Sequence, residues 1–200
     1  MSERLKFPYS FETPMISLNT RKELNDALNR LEGEKRPSAF SKIAKKSVVG
    51  EGDVDELWGE ASPEQEALYQ KFRRHRSSSR SRNYDLKKGW WQDYSVPPHG
   101  AIRKFLPKIL AILNSEEKGV DAFEKAVLLH HLVVWLKPYP DGNRRLGLAL
   151  AELKMARSGL PVVRFGFDKA KYRTALQKAG CGSPRELGEL FAKAIIAKAR

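Results

Sequence analysis

Lys137-Pro138-Tyr139-Pro140-Asp141-Gly142-Asn143-Arg144-Arg145 is a short loop rich in Pro, Gly and Asn, set between two apolar segments. Neither proline can donate a backbone hydrogen bond, and each restrains the residue before it. The helical run that precedes them must therefore stop near Leu136. Asp141 and Asn143 are both favourable N-cap residues, which places the start of a second helix here. Unpaired peptide N–H groups at a helix start, a glycine beside them and two arginines in the first turn make a ready anion site. The stretch predicts a corner between two helices where a phosphate would sit.

The flanking segments show how that corner is held. Phe123 to Leu136 and Leu146 to Met155 are apolar almost all round, as suits helices in the middle of a bundle. Gly159 and Pro161 end the second of them. Upstream, Ile102, Phe105, Leu106, Ile109, Leu110 and Leu113 recur at helical spacing, and Pro107 predicts a kink. Thr20 with Glu23 has capping-box spacing before Leu24, Leu28 and Leu31, and Ser62-Pro63-Glu64-Gln65 predicts a helix running to about Arg76. A helix from about Lys169 to Ala179 ends at Gly180. Ser183-Pro184-Arg185-Glu186 has capping-box spacing and opens a terminal helix, with Leu187, Leu190, Phe191, Ala194 and Ile195 inward. Tyr84, Trp90, Trp91 and Tyr94, followed by Pro97-Pro98, predict an irregular β-hairpin. The sum is an all-α fold with one small hairpin, divided into an N-terminal helical extension (1–59) and a main domain (60–200).

A chain of 200 residues, 41% hydrophobic and 30% charged, suits an ordinary soluble globular protein. The single cysteine, Cys181, excludes an intrachain disulfide and a multi-cysteine zinc cage, and fits a reducing cytoplasm. No apolar run reaches the ~20 residues that span a bilayer, so no membrane association is expected. The net charge of +13 gathers partly in Lys71, Arg73, Arg74, Arg76, Arg80, Arg82, Lys87 and Lys88. A solvated basic face accounts for it more simply than nucleic acid or an acidic protein partner, because no nucleic-acid motif accompanies the charge. His130 and His131 read as core or helix-surface histidines, since no second ligand pair has metal-binding spacing. For Trp90 and Trp91, hairpin core, nucleotide-stacking platform and partner anchor stay open.

The order hairpin, Pro-Pro, helix, buried helix, loop, buried helix resembles the Fic (Fido) domain, whose signature is HPFxDGNGRxxR. From Lys137 this chain reads KPYPDGNRRLGL, matching at Pro138, Asp141, Gly142, Asn143 and Arg145, with Tyr139 in place of Phe. His131 to Leu136 resembles the helix before the loop. Lys171 to Leu176, followed by Glu186-Leu187, resembles the closing helices, so the likeness covers roughly residues 60 to 197. The resemblance implies a protein that binds a nucleoside triphosphate with a divalent metal and transfers AMP to a hydroxyl of a target protein. Asp141 would hold Mg²⁺, a hard cation suited to carboxylate and phosphate oxygens. Gly142, Asn143, Arg144 and Arg145 would cradle the phosphates of ATP, and Arg145 would neutralise charge on the leaving group. The hairpin with Trp90, Trp91 and Tyr94 would be the flap that receives the target protein by strand addition. Leu28-Asn29-Arg30-Leu31-Glu32-Gly33 resembles the family's inhibitory helix, with Glu32 as its carboxylate. An ordinary amphipathic helix explains that segment equally well.

Three departures alter the expectation. Lys137 replaces the family's His, which takes the proton from the target hydroxyl. A lysine of ordinary pKa, about 10.4, is protonated at pH 7 and cannot accept it. Losing a positioned acid–base group typically slows a reaction by roughly 10²–10⁴-fold. Arg144 replaces a Gly and puts a side chain beside the phosphates. In this it resembles the death-on-curing branch, which transfers phosphate and has Lys in its DANKR loop but keeps the His. Leu148 replaces the last Arg, removing a cation from the terminal phosphate and the partner of Glu32. The expectation is a Fic fold with impaired chemistry, binding a nucleotide or serving as a regulatory or interaction module. An active but altered transferase and a basic nucleic-acid-associated protein are the alternatives.

Overall fold

In the computed structural model, residues 6–8, 10, 12–31, 50, 96–139, 142–161 and 165–200 are described. They contain α1 (Leu18–Arg30), a 3₁₀ turn at His99–Ala101, α2 (Ile102–Asn114), α3 (Gly119–Leu136), α4 (Asn143–Arg157), α5 (Lys169–Gly180) and α6 (Arg185–Lys198). No strand occurs among the described residues, and the all-α class holds. The predicted helix over 63–76, the hairpin with Trp90, Trp91 and Tyr94, Glu32, Asp141 and the boundary near residue 60 lie outside them.

The centre is α3, in which 14 of 18 residues are buried, as its all-round apolar sequence requires. It packs most extensively against α4, with α2 on one flank and α1, α5 and α6 also against it. Two apolar clusters result. Phe105, Ile109 and Leu113 of α2 meet Leu129, Leu132 and Trp135 of α3 in one, which also takes in Tyr139. Leu24 and Leu28 of α1 join Val127 of α3, Leu176 of α5 and Phe191 of α6 in the other. No helix among the described residues is long and apolar enough to cross a membrane.

Helix starts depart from the local signals where a tertiary partner competes. The cap of α1 is Ser17, whose Oγ accepts from the Thr20 N–H at 3.2 Å, so the helix begins before the predicted Thr20 cap. Thr20 instead donates its hydroxyl to Glu189 Oε2 of α6 at 2.6 Å, and the Ser17 N–H donates to Glu189 Oε1 at 2.7 Å. Burial would raise the Glu189 pKa, but these hydrogen bonds outweigh it and hold the carboxyl below its ordinary value. The third predicted cap is also unused. Pro184, not Ser183, precedes α6 with no side-chain cap, and Glu186 pairs with Lys178 of α5. Pro107 lies inside α2 on an exposed face without ending it, where solvent can satisfy the carbonyl it leaves unbonded.

Candidate functional site

The corner between α3 and α4 is built by backbone conformations that the sequence forces. Pro138 disfavours right-handed helix at the residue before it. Lys137 instead caps α3 in the left-handed region (φ 46°, ψ 61°), its N–H donating to the Val133 carbonyl at 3.0 Å. It is the one non-glycine residue with positive φ among those described. That geometry costs a lysine about 1–2 kcal/mol. The side chain is also buried, at 7% exposure. Tyr139 anchors the loop in the first core cluster at 1% exposure.

Gly142 (φ 75°) is the N-cap of α4, so the expected capping by Asp141 or Asn143 gives way to a glycine turn with no side-chain cap. Asn143 is already helical and turns its amide back into the loop. Its Oδ1 accepts from the Tyr139 N–H at 2.9 Å and its Nδ2 donates to the Tyr139 carbonyl at 2.8 Å. This buried two-bond latch keeps the Asn143 side chain off the helix end. The first-turn amides of α4 have no carbonyl partner within the helix, and among the described residues no side chain caps them. Such a cradle fits phosphate oxygens.

Arg144 and Arg145 are exposed in that first turn. The Arg144 guanidinium lies 4.4 Å from the centre of the Tyr172 ring of α5. The Tyr172 hydroxyl is 2.7 Å from His130 Nε2, and its ring stacks on Phe167 at 5.4 Å with 4° between planes. Burial, then His131, push the His130 pKa down to about 3 against an opposing contribution from the Gly147 backbone, with Arg144 adding the smallest push. Burial alone takes His131 to about 3 as well. Both imidazoles are thus neutral core groups, in keeping with the sequence reading. Leu148 packs, half-buried, against the second apolar cluster and brings no cation to the corner.

The structure therefore gathers Lys137, Gly142, Asn143, Arg144 and Arg145 at one corner, while Asp141, Glu32 and the aromatic flap residues lie outside the described chain. No group of three or more His, Cys, Asp or Glu side chains among the described residues forms a metal site. A magnesium ion carried by phosphates needs only one or two protein carboxylates, so the Asp141 expectation requires no such group.

Two contributors to the site, and a buried lysine at the far end of α4, were not singled out by the sequence reading. A Cβ on Gly147 would stand 2.8 Å from the His130 carbonyl oxygen and 2.9 Å from its Nδ1, so this glycine sets how closely α3 and α4 approach. A glycine in a helix interior, costly by propensity, was the available signal. Tyr172 sat unremarked within the Lys171–Leu176 likeness. Lys154 is one of two charged residues, with Glu152, inside an apolar run. It is 0% exposed, and its Nζ bonds the carbonyl and Oγ of Ser115 and, at 2.7 Å, Glu117 Oε2.

Residues 63–155 match the Fic/DOC family. A probable protein adenylyltransferase of Aquifex aeolicus is 32% identical over 90 residues, covering 45% of this chain and 28% of that protein. The protein adenylyltransferase fic-1 of Caenorhabditis elegans is 34% identical over 94 residues, 46% of this chain and 18% of that protein. Two solved structures of Fic-1 from C. elegans superpose with TM-scores of 0.62 and 0.59 at 25% identity, covering 88% and 92% of this chain and 48% and 51% of theirs. The chain thus spans less than a third of either curated relative.

Proposed function

We propose that this chain, whose residues 63–155 match the Fic/DOC family, binds a nucleoside triphosphate at the start of α4 while transferring AMP poorly or not at all. The observation that carries the reading is Lys137. It occupies the C-cap of α3 in a left-handed, buried conformation directly before the phosphate corner. A lysine that keeps its ammonium takes no proton from an incoming hydroxyl, yet adds positive charge beside an anion. The uncapped Gly142 turn and the Asn143 latch, meanwhile, have the form a phosphate cradle needs.

Bound ATP with magnesium would supply an electrophilic α-phosphorus, and the family likeness makes Asp141 the residue that would hold the metal. The amide N–H groups after Gly142 would donate hydrogen bonds to phosphate oxygens, and Arg145 would balance their charge. Leu148 offers no cation for the terminal phosphate. Such a protein acts by occupancy: a nucleotide-dependent regulatory or interaction module rather than a turnover enzyme.

The test is incubation of the protein with cell lysate and ATP labelled at the α or, separately, the γ phosphorus. Wild type is expected to label nothing, whereas Lys137→His, Arg144→Gly and Leu148→Arg combined should label target proteins from the α position. Label from wild type would replace this reading with an active, altered transferase.

A further inference from the structure

Arg144 is exposed at the second residue of α4, yet its guanidinium lies 4.4 Å from the centre of the Tyr172 ring, on a different helix. The ring has little freedom. It is 3% exposed, stacked on Phe167 and joined through its hydroxyl to the buried His130 of α3. A cation–π contact uses the flat face of a guanidinium, whereas its N–H donors lie in the plane at the edge. At 4.4 Å the guanidinium is close enough to lie flat on the ring, an arrangement that keeps its bidentate edge for an oxyanion.

We propose that Tyr172 is a positioning residue for Arg144, holding the guanidinium at the open start of α4 so that it meets a polyphosphate already ordered. The proposal rests on the anion-site reading above. An arginine that is ordered before the ligand arrives surrenders less side-chain freedom on binding. Arg144 and Tyr172 then function as one unit, and a change in one should mask a change in the other.

Calorimetric titration of the whole protein with inorganic tripolyphosphate at physiological salt tests this. Tyr172→Leu should weaken binding about five-fold and Arg144→Ala about ten-fold, with the double variant no weaker than Arg144→Ala alone. Tyr172→Phe keeps the ring and should stay within about two-fold of wild type. The upfield ring-current shift of the Arg144 side-chain protons should persist in Tyr172→Phe and vanish in Tyr172→Leu, with no ligand present. Should Tyr172→Leu not fold, Arg144→Lys, which keeps the charge without a planar stacking group, should show a loss of about five-fold.

Wild-type binding that is unchanged in Tyr172→Leu, or losses that simply add, would overturn the positioning role alone. Tighter binding by Tyr172→Leu would do the same, by showing that the ring withholds the arginine. Absence of tripolyphosphate binding by wild type would overturn the anion site together with it.

Discussion

The two ends of α4 carry the same kind of charge and use it in opposite ways. At the C-terminal end, Lys154 is fully buried with its ammonium on Ser115 and Glu117, and Arg157 reaches Asn114 at 3.2 Å. These bonds tie α4 to the residues that close α2, and the cation is satisfied from within the protein. Burial would raise the Glu117 pKa, but hydrogen bonds from Lys154 and Ser115 prevail and hold it below the ordinary value. At the N-terminal end the cap is a bare glycine, the latch residue faces backwards, and two arginines remain exposed. One end consumes its charge in holding the fold together; at the other, both arginines stay exposed at the helix start, where the proposed phosphates would sit.

The sharpest way to break this contrast is Lys154→Ala, which leaves a cavity and the Glu117 carboxylate without its cation. With Glu117 26% exposed and partly screened, we expect a loss of about 3 kcal/mol by urea unfolding. A loss under about 0.5 kcal/mol, the usual range of surface changes, would mean that the clamp contributes nothing.

A second test, of comparable size, is the acid sensitivity of the histidine pair behind the corner. Their pKa values in the folded protein, about 3, lie below the ordinary 6.5, so the unfolded chain binds more protons between those values. Stability is then complete above pH 6.5 and falls as pH drops toward 3. By pH 5 the loss should be about 2 kcal/mol for each histidine. Urea midpoints at pH 7 and 5 measure it, and His131→Leu should flatten the dependence by about half. Both carboxylates with lowered values, Glu117 and Glu189, add their losses only below about 4.5.

Gly147→Ala comes third. The new methyl would press on the His130 backbone and ring, and about 2 kcal/mol should be lost as α3 and α4 are forced apart. The smallest effect belongs to Arg145→Ala, which should leave the thermal midpoint almost unchanged while weakening ATP binding. A large stability loss there would show that the N-terminal end, too, consumes its charge internally.

Much of this was legible in the sequence, and the reasons are local. All-round apolar segments announced α3 and α4, and Pro138 stopped the first of them. Gly142 is required wherever the chain turns from a left-handed residue straight into a helix. The residues misread or passed over depend on partners distant in sequence. Thr20 lost its capping role to Glu189, 169 positions away, and Glu186 was drawn to Lys178 on the preceding helix. Asn143 looked like a cap because caps and latches use the same short amide; only the direction of the loop distinguishes them. Lys154 and Tyr172 acquire meaning once α2 and α5 are in place. The family likeness located the corner, but it was silent about Tyr172, because Arg144 is itself a departure from the family pattern.

The central claim is that the start of α4 still holds a polyphosphate although the base beside it is gone. Calorimetric titration of wild type with ATP and magnesium tests it most directly. The account predicts saturable one-to-one binding that survives Leu148→Ala and is weakened by Arg145→Ala. No binding at millimolar ATP, or binding indifferent to Arg145, would contradict it.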